Sequence, residues 1–574
     1  MDRRYSIGEI ARILRIKPHV IRYWEDEIPF IAPQKSKSGR RVYTNRELQL
    51  LARLKHLLYE KRYTIEGARE RIWKETASSK VDLTARIAAV RGDLLSVWDK
   101  LKGGEPKDSK TREIRIIEQW SKRGQEHLFA YWSDREEDKK RILLDNLEAL
   151  NFDHYELLLR RLGEQEQHGE GKRIEPIRCI PRRAWVGNPK AKALGEELLA
   201  AGKAAFLTVA GGQGSRLGFE GPKGCFPVSP IRRATLFQLF SEKILAARRR
   251  YGRAMYWYIM TSPLNLEQTR CYFADNGYLG LPKEEVRFFA QGLLPSLSAR
   301  GKLLLAESGG LFLNPNGHGG MISALQNSGN LDHMISRGVD RLFYCQVDNP
   351  MVRLPDAPFL GLHAEKRSQL SSKVVEKLCP EEKIGVIGSV DGKPGVIEYS
   401  DFDVELQNAR NASGTLLFSH GSIAIHIFDV QFLKSHSGQL PLHLARKRIR
   451  TWIPDGSGGV MEQREANKFE MFIFDALADA ANPLFVETSR AEEFAPLKNK
   501  TGVDSIETCR RGLMNLYAGW LQANGIEVPM ENQAPRHRIE ISPAFAWDAE
   551  SLGESLKQTP LSSVNRIDED TLLV

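Results

Sequence analysis

A glycine-rich stretch directly behind an apolar strand constrains this chain more than any other feature. Ala204-Ala-Phe-Leu-Thr-Val209 reads as a buried strand. Ala210-Gly-Gly-Gln-Gly-Ser-Arg-Leu-Gly218 follows at once, with Gly221-Pro-Lys-Gly224 close behind. Glycines at the end of a buried strand let the backbone pass close to a phosphate chain, and their amides can donate to its oxygens. Arg216 and Lys223 add the positive charge that a triphosphate demands. This is not a Walker A loop, because GxxxxGK[ST] is absent. The dinucleotide spacing GxGxxG also fails, and no acidic residue follows a second strand about 20 residues on.

The surroundings of that loop predict an α/β fold. Tyr256–Met260, Val286–Phe289 and Leu342–Val347 are further apolar runs, and helical segments separate them. That alternation predicts a wound, mixed sheet covered by helices. Upstream, residues 111–162 are helical in pattern, with Ile116, Trp120, Leu128, Trp132, Leu143, Leu147 and Leu150 as the apolar positions. With 574 residues the chain is too long for one core, so two to four domains are expected.

The N-terminus differs in charge. Residues 1–75 hold 18 Lys/Arg against 10 Asp/Glu, which leaves little of the formal +10 for the rest. A basic head on a near-neutral body predicts a polyanionic partner. Ser6 followed three residues later by Glu9 predicts a capping box, and Ile7, Ile10, Ala11 and Leu14 fall at helical spacing. Pro18 suits the first turn of a second helix through Glu25, and the pair predicts a helix-turn-helix. Lys35–Tyr43 is a basic turn able to form a wing. Asn45–Glu60 is a third helix, with Leu48, Leu51, Leu54 and Leu58 on one side.

Leu83, Ile87, Val90, Leu94, Val97 and Leu101 then alternate in steps of four and three, the seam of a short coiled coil and hence of a homodimer. Gly103–Lys110 reads as a linker. Six scattered cysteines without a CxxC pair fit reduced thiols in a cytoplasmic protein. No apolar run is long enough for a membrane span, and the first residues lack the apolar segment of a signal peptide.

Two families are resembled. The order "IRYWE", "GRRVY", "YTIEGARERI" over about residues 4–75 resembles the MerR-type winged-helix regulators. The resemblance implies binding to double-stranded DNA through Lys17, His19, Arg22 and Tyr23, with Arg40, Arg41 and Tyr43 on the wing. From about residue 112 the chain resembles the eukaryotic-type UDP-sugar pyrophosphorylases, most closely those that make UDP-N-acetylglucosamine. The shared blocks include "FFAQGLLPSLS" (288–298), "NPNGHGG" (314–320), "QVDNP" (346–350), "GVIEYSD" (395–401), "NKFEMFIFD" (467–475) and "EEFAPLKN" (492–499).

That resemblance implies an α/β nucleotidyltransferase that makes UDP-sugar and pyrophosphate from UTP and a sugar 1-phosphate. It implies Ala210, Gly211, Gly212, Gln291 and Gly317 at the nucleotide. Catalytic roles fall to Arg216, Lys223 and Lys468, and Asp348 holds Mg²⁺. His318, Glu398, Tyr399, Ser422 and Lys498 fall at the sugar or its phosphate. Two positions depart from the N-acetylglucosamine enzymes. His318 replaces an asparagine and resembles the UDP-glucose pyrophosphorylases, and Ser422 stands where a sugar-contacting asparagine is expected. N-acetylglucosamine 1-phosphate is therefore the first expectation and glucose 1-phosphate the second. A third reading is a transcription regulator that uses the body as a UDP-sugar sensor. The expected domains are 4–75 (DNA-binding), 76–110 (coiled coil and linker), 111–175 (helical), 176–500 (catalytic) and 501–574 (C-terminal).

Overall fold

The structure is a computed structural model that describes residues 5–14, 16–27, 34–35, 41–60, 65, 109–164, 173–399, 402–455, 459–559 and 565–574. The chain divides into two compact units, Met1–Ile114 and Arg115–Val574. The proposed coiled-coil seam, residues 83–101, lies outside the described residues, as does Arg40.

In the first unit the capping box closes as the spacing predicts. The Ser6 amide donates to Glu9 Oε2 at 2.7 Å, and the Glu9 amide donates to Ser6 Oγ at 3.3 Å. Helix α1 (Ile7–Leu14) buries Ile10, Ala11 and Leu14, and helix α2 (Pro18–Glu27) begins on its proline. Strands β1 (Tyr5–Ser6), β2 (Gln34–Lys35) and β3 (Arg41–Tyr43) form a small antiparallel sheet in the order β1-β3-β2. Helix α3 (Asn45–Lys55) runs into a π-turn, His56–Glu60. Leu51, Leu54 and Leu57 are its buried leucines, while Leu48 and Leu58 are half-buried against the same core. The i+3 and i+4 positions share a helix face, which is why periodicity alone did not separate Leu57 from Leu58.

The division between the units falls within the helix Ser109–Ser121, and the helices Glu137–Ala149 and Phe152–Glu164 follow in the second unit. Of the linker expected over 103–110, Ser109 and Lys110 belong to a helix and residues 103–108 lie outside the described residues. Trp120, Leu143 and Leu147 pack with Leu297, Leu305, Trp452 and Phe469.

Ten strands form the main sheet. They are β4 (Ile174–Glu175), β5 (Ala204–Val209), β6 (Trp257–Thr261), β7 (Val286–Ala290), β10 (Arg341–Gln346), β11 (Leu370–Glu376), β12 (Val386–Val390), β13 (Lys393–Ile397), β14 (His420–Asp429) and β17 (Leu484–Glu487). The pairs β8 (Leu293–Pro295) with β9 (Leu313–Pro315), and β15 (Leu442–Ile453) with β16 (Val460–Met471), stand apart from it. The path β13-β12-β14-β10-β5-β6-β7 carries parallel pairing among β10, β5, β6 and β7, and antiparallel pairing where β14 meets β10.

Strand β5 is apolar on both faces because both are covered. Phe206 enters one core with Trp257, Ile259 and Phe343, and Leu207 enters the other with Tyr258, Met260 and Tyr344. The helix Pro189–Ala200 crosses Ala357–Glu365 closely enough that a Cβ on Gly195 would sit 1.8 Å from the Ala357 carbonyl oxygen. Ile539–Ile541 and Thr571–Leu573 pair in parallel beside the helix Ile506–Ala523, which gives the C-terminal region its own core. No described helix is long and apolar enough to cross a membrane.

Candidate active site

At the carboxyl edges of β5 and β10 a cavity of about 300 Å³ opens. Its first wall is the glycine-rich turn. Ala210 is buried at its root and donates its amide to the Met260 carbonyl at 2.7 Å. The turn folds back on itself: the Gly214 amide reaches the Gly221 carbonyl at 2.9 Å, and the Lys223 amide reaches Gly212 at 3.0 Å. From the next crossover Asn265 donates Nδ2 to the carbonyls of Ala210 (3.0 Å) and Gly212 (3.4 Å). With those carbonyls held, the amides of Gly211, Gly212 and Gln213 have no protein acceptor among the described residues. Successive unpaired amides at a strand end are a ready anion nest.

Charge stands opposite the nest. Lys223 Nζ is 3.6 Å from Asp348 Oδ2 and donates to the Leu497 carbonyl at 3.2 Å. Asp348 lies two residues past the end of β10, and its own carbonyl accepts the Leu497 amide at 2.8 Å. The side chains of Lys223 and Asp348 are only 18% and 14% exposed, so their fields are poorly screened.

A second wall of the cavity combines Gln291, Gly317 and His318. Gln291 is buried, with its amide on the Thr261 carbonyl at 2.9 Å. Gly317 has φ +86°, and a Cβ there would lie 2.4 Å from the Met471 carbonyl oxygen, so no other residue fits without movement. His318 is half-buried, stacked on Phe472 and beside Phe474, and its Nδ1 accepts the Ile473 amide at 3.1 Å. Burial pushes its pKa down to about 4, so the ring is neutral near pH 7. With Nδ1 accepting, the proton sits on Nε2.

The structure brings Gly211, Gly212, Lys223, Gln291, Gly317, His318 and Asp348 around one cavity. Lys468, on β16, forms an ion pair of 2.5 Å with Glu470, which lines it. Arg216 is exposed on the 3₁₀ turn Ser215–Leu217 and stands off the cavity wall. Lys498 is exposed beside Asp504 at 3.2 Å. Glu398 and Ser422 meet around Gly385, whose carbonyl accepts the Ser422 amide at 2.8 Å, while Tyr399 is exposed. These three lie away from the nucleotide cavity lining.

In the first unit Lys17 and His19 are exposed. Tyr23, one turn beyond His19, is 53% exposed, while Ile21 and Trp24 face inward. The expectation for Tyr43 on the wing needs correction: its ring is fully buried in the small core, so it packs the head instead of facing a partner. Among the described residues no cluster of three or more His, Cys, Asp or Glu could hold a metal unaided. Asn265, Gln346, Glu470 and Phe472 were not singled out from the sequence. Glu470 was findable, because residues two apart on a strand share a face and Lys468 marks that face.

Comparison with known proteins agrees with this geometry. Residues 153–524 match the family described as UTP–glucose-1-phosphate uridylyltransferase. The chain belongs to that family. It is a uridylyltransferase, a nucleotidyltransferase by reaction class. Residues 5–72 match the MerR helix-turn-helix family of regulatory proteins. UDP-N-acetylglucosamine diphosphorylase 1 of Arabidopsis thaliana is 32% identical over 466 residues, 76% of this chain and 90% of that one. The human UDP-N-acetylhexosamine pyrophosphorylase-like protein 1 is 34% identical over 485 residues, 78% of this chain and 95% of that one. A crystal structure assigned to a UDP-N-acetylglucosamine pyrophosphorylase of Entamoeba histolytica superposes with a TM-score of 0.62 at 29% identity. It covers 70% of this chain and 100% of that one.

Proposed function

We propose that the body joins UTP to N-acetylglucosamine 1-phosphate, releasing pyrophosphate, and that the head binds duplex DNA as a homodimer. One observation carries the enzymatic reading: Gly211 and Gly212, whose amides are unpaired among the described residues, line the same cavity as Lys223, at the end of parallel strands. The sugar follows the relatives, whose names specify N-acetylglucosamine or N-acetylhexosamine. Glucose 1-phosphate is the second candidate, because His318 and Ser422 depart from the N-acetylglucosamine pattern.

The sugar phosphate oxygen is already an anion at neutral pH, so transfer needs no general base. That oxygen forms a bond to the α-phosphorus of UTP. The bond from that phosphorus to the bridging oxygen breaks, and its electrons leave with pyrophosphate. The amides of Gly211 and Gly212 hold phosphate oxygens, and Lys223 and Lys468 neutralise the charge that builds on the leaving group. Gln291 and Gly317 fix the base, which aligns the α-phosphorus with its attacker.

Asp348 fits Mg²⁺, an ion commonly held by one or two carboxylates together with substrate phosphates. Of the two acidic side chains in the lining, Glu470 is held by Lys468 at 2.5 Å, and Asp348, with no larger cluster among the described residues, matches that donor set. The ion would supply further charge neutralisation at the phosphates. In the head, His19 and Tyr23 are exposed on the second helix, the one a helix-turn-helix lays in the major groove, and Lys17 is exposed in the turn just before it.

Pyrophosphate release from UTP tests the reading across N-acetylglucosamine, glucose and galactose 1-phosphates. The expected order places N-acetylglucosamine 1-phosphate first, and preference for glucose 1-phosphate moves the assignment to the second candidate. Mobility shift of duplex DNA at rising salt tests the head, since phosphate-based binding weakens steeply with salt. No retardation at low salt removes the DNA-binding proposal.

A further inference from the structure

Each of two lysines used above stands against a carboxylate, Lys223 against Asp348 at 3.6 Å and Lys468 against Glu470 at 2.5 Å. The second carboxylate has no part in the proposed transfer. Glu470 lies two residues beyond Lys468 on β16, so both side chains leave the same face of the strand. It borders the cavity, and its Cβ lies 3.2 Å from the point that a Cβ on Gly317 would occupy. The Met471 amide, one residue on, donates to the Asn316 carbonyl at 2.8 Å, which fixes this end of the strand against the base-side loop. Glu470 is therefore held by backbone, whereas Lys468 ends a long, rotatable side chain that is 25% exposed. A free lysine loses rotamer entropy when it is fixed. An ion pair that fixes it beforehand removes that cost from the reaction.

We propose that Glu470 is a positioning residue for uridylyl transfer: it holds Lys468 Nζ at the cavity wall and yields it to phosphate as substrate enters. The inference rests on the proposed transfer. Two consequences follow. The carboxylate competes with phosphate for Lys468, so removing its charge strengthens UTP binding. The lysine then meets phosphate in many rotamers, so turnover falls.

The test is a double-mutant cycle on the full chain with Glu470→Gln, Lys468→Met and the pair, measuring kcat, KM for UTP and UTP affinity by calorimetry. Glu470→Gln is expected to lower kcat about tenfold with KM no higher than in the parent, and to tighten UTP binding about threefold. In the Lys468→Met background the same change should leave UTP affinity unaltered, because Glu470 acts through the lysine. Glu470→Asp, which keeps the charge, should recover most of the turnover. The proposal is overturned if Glu470→Gln leaves kcat within twofold of the parent or raises KM. It is equally overturned if the shift in UTP affinity is the same with and without Lys468. Failure of the parent protein to bind UTP is a separate outcome and counts against the uridylyl reading itself.

Discussion

Lys223 and Asp348 face each other at 3.6 Å across the cavity rim, and the Leu497 backbone touches both, accepting from the lysine and donating to the Asp348 carbonyl. Three distant segments thus meet at the place where a triphosphate would lie. Lys223→Met should reduce kcat/KM for UTP by about 10²–10³, the usual cost of one donor to developing negative charge. Thermal unfolding should barely move. Steady-state kinetics beside a melting curve checks both parts.

Gly317 belongs to the cavity wall proposed to hold the base. In Gly317→Ala the new Cβ meets the Met471 carbonyl oxygen at 2.4 Å while φ remains at +86°. Relief requires moving the loop or β16, at a cost of about 1–3 kcal/mol. KM for UTP should rise more than kcat falls, and urea unfolding should report the destabilisation.

The desolvated histidine at the cavity wall predicts a pH effect with a definite sign. His318 titrates at about 4 when folded, since burial disfavours the imidazolium, and near 6.5 when unfolded. The unfolded chain therefore takes up the proton first. Above about pH 6.5 the ring is neutral in both states, and its contribution is fully present. As pH falls to about 4, roughly 3 kcal/mol of stability is lost. His318→Asn removes that share. Unfolding free energies of parent and variant between pH 7 and 4 should diverge in slope, and parallel curves would refute the linkage.

A fully buried cation braces the loop behind Asp348. Lys373 Nζ bonds Asp356 at 2.5 Å and Glu493 at 2.5 and 2.7 Å, and all three side chains are almost wholly inaccessible. The Glu493 carbonyl in turn accepts Asn349 Nδ2 at 2.7 Å, next to Asp348. Lys373→Met leaves two buried carboxylates short of their partner, so the loss should be about 3–5 kcal/mol. Adding Glu493→Gln should restore part of it, as read by chemical denaturation.

The head predicts a salt signature. Lys17 is exposed where α1 turns into α2. If it neutralises one DNA phosphate, Lys17→Ala should flatten the slope of log K against log salt by about 0.9, nearly independently of sequence. A slope unchanged by the substitution takes Lys17 off the interface.

The sequence was most informative where chemistry is local. Strand β5 and its glycine turn are adjacent in the chain, so Gly211, Gly212 and Lys223 could be read directly. The Ser6–Glu9 capping box spans three residues and closes as its spacing implies. What escaped depends on the return of distant chain. Nothing near Asn265 announces that it clamps the carbonyls of Ala210 and Gly212. Nor does the wing pattern reveal that Tyr43 turns inward, because an aromatic beside β1 can serve a small core as readily as a surface. Arg216 has the right charge beside the right loop, yet it points to solvent, a direction that no spacing rule supplies.

The central claim is that this cavity transfers a uridylyl group, and phosphorus NMR of the protein mixed with UTP, N-acetylglucosamine 1-phosphate and Mg²⁺ tests it most directly. The predicted spectrum loses the UTP α-phosphorus signal while diphosphate-sugar and inorganic pyrophosphate signals grow in equal amount. Unchanged UTP and sugar phosphate, with this sugar and with every other hexose 1-phosphate, would contradict the account.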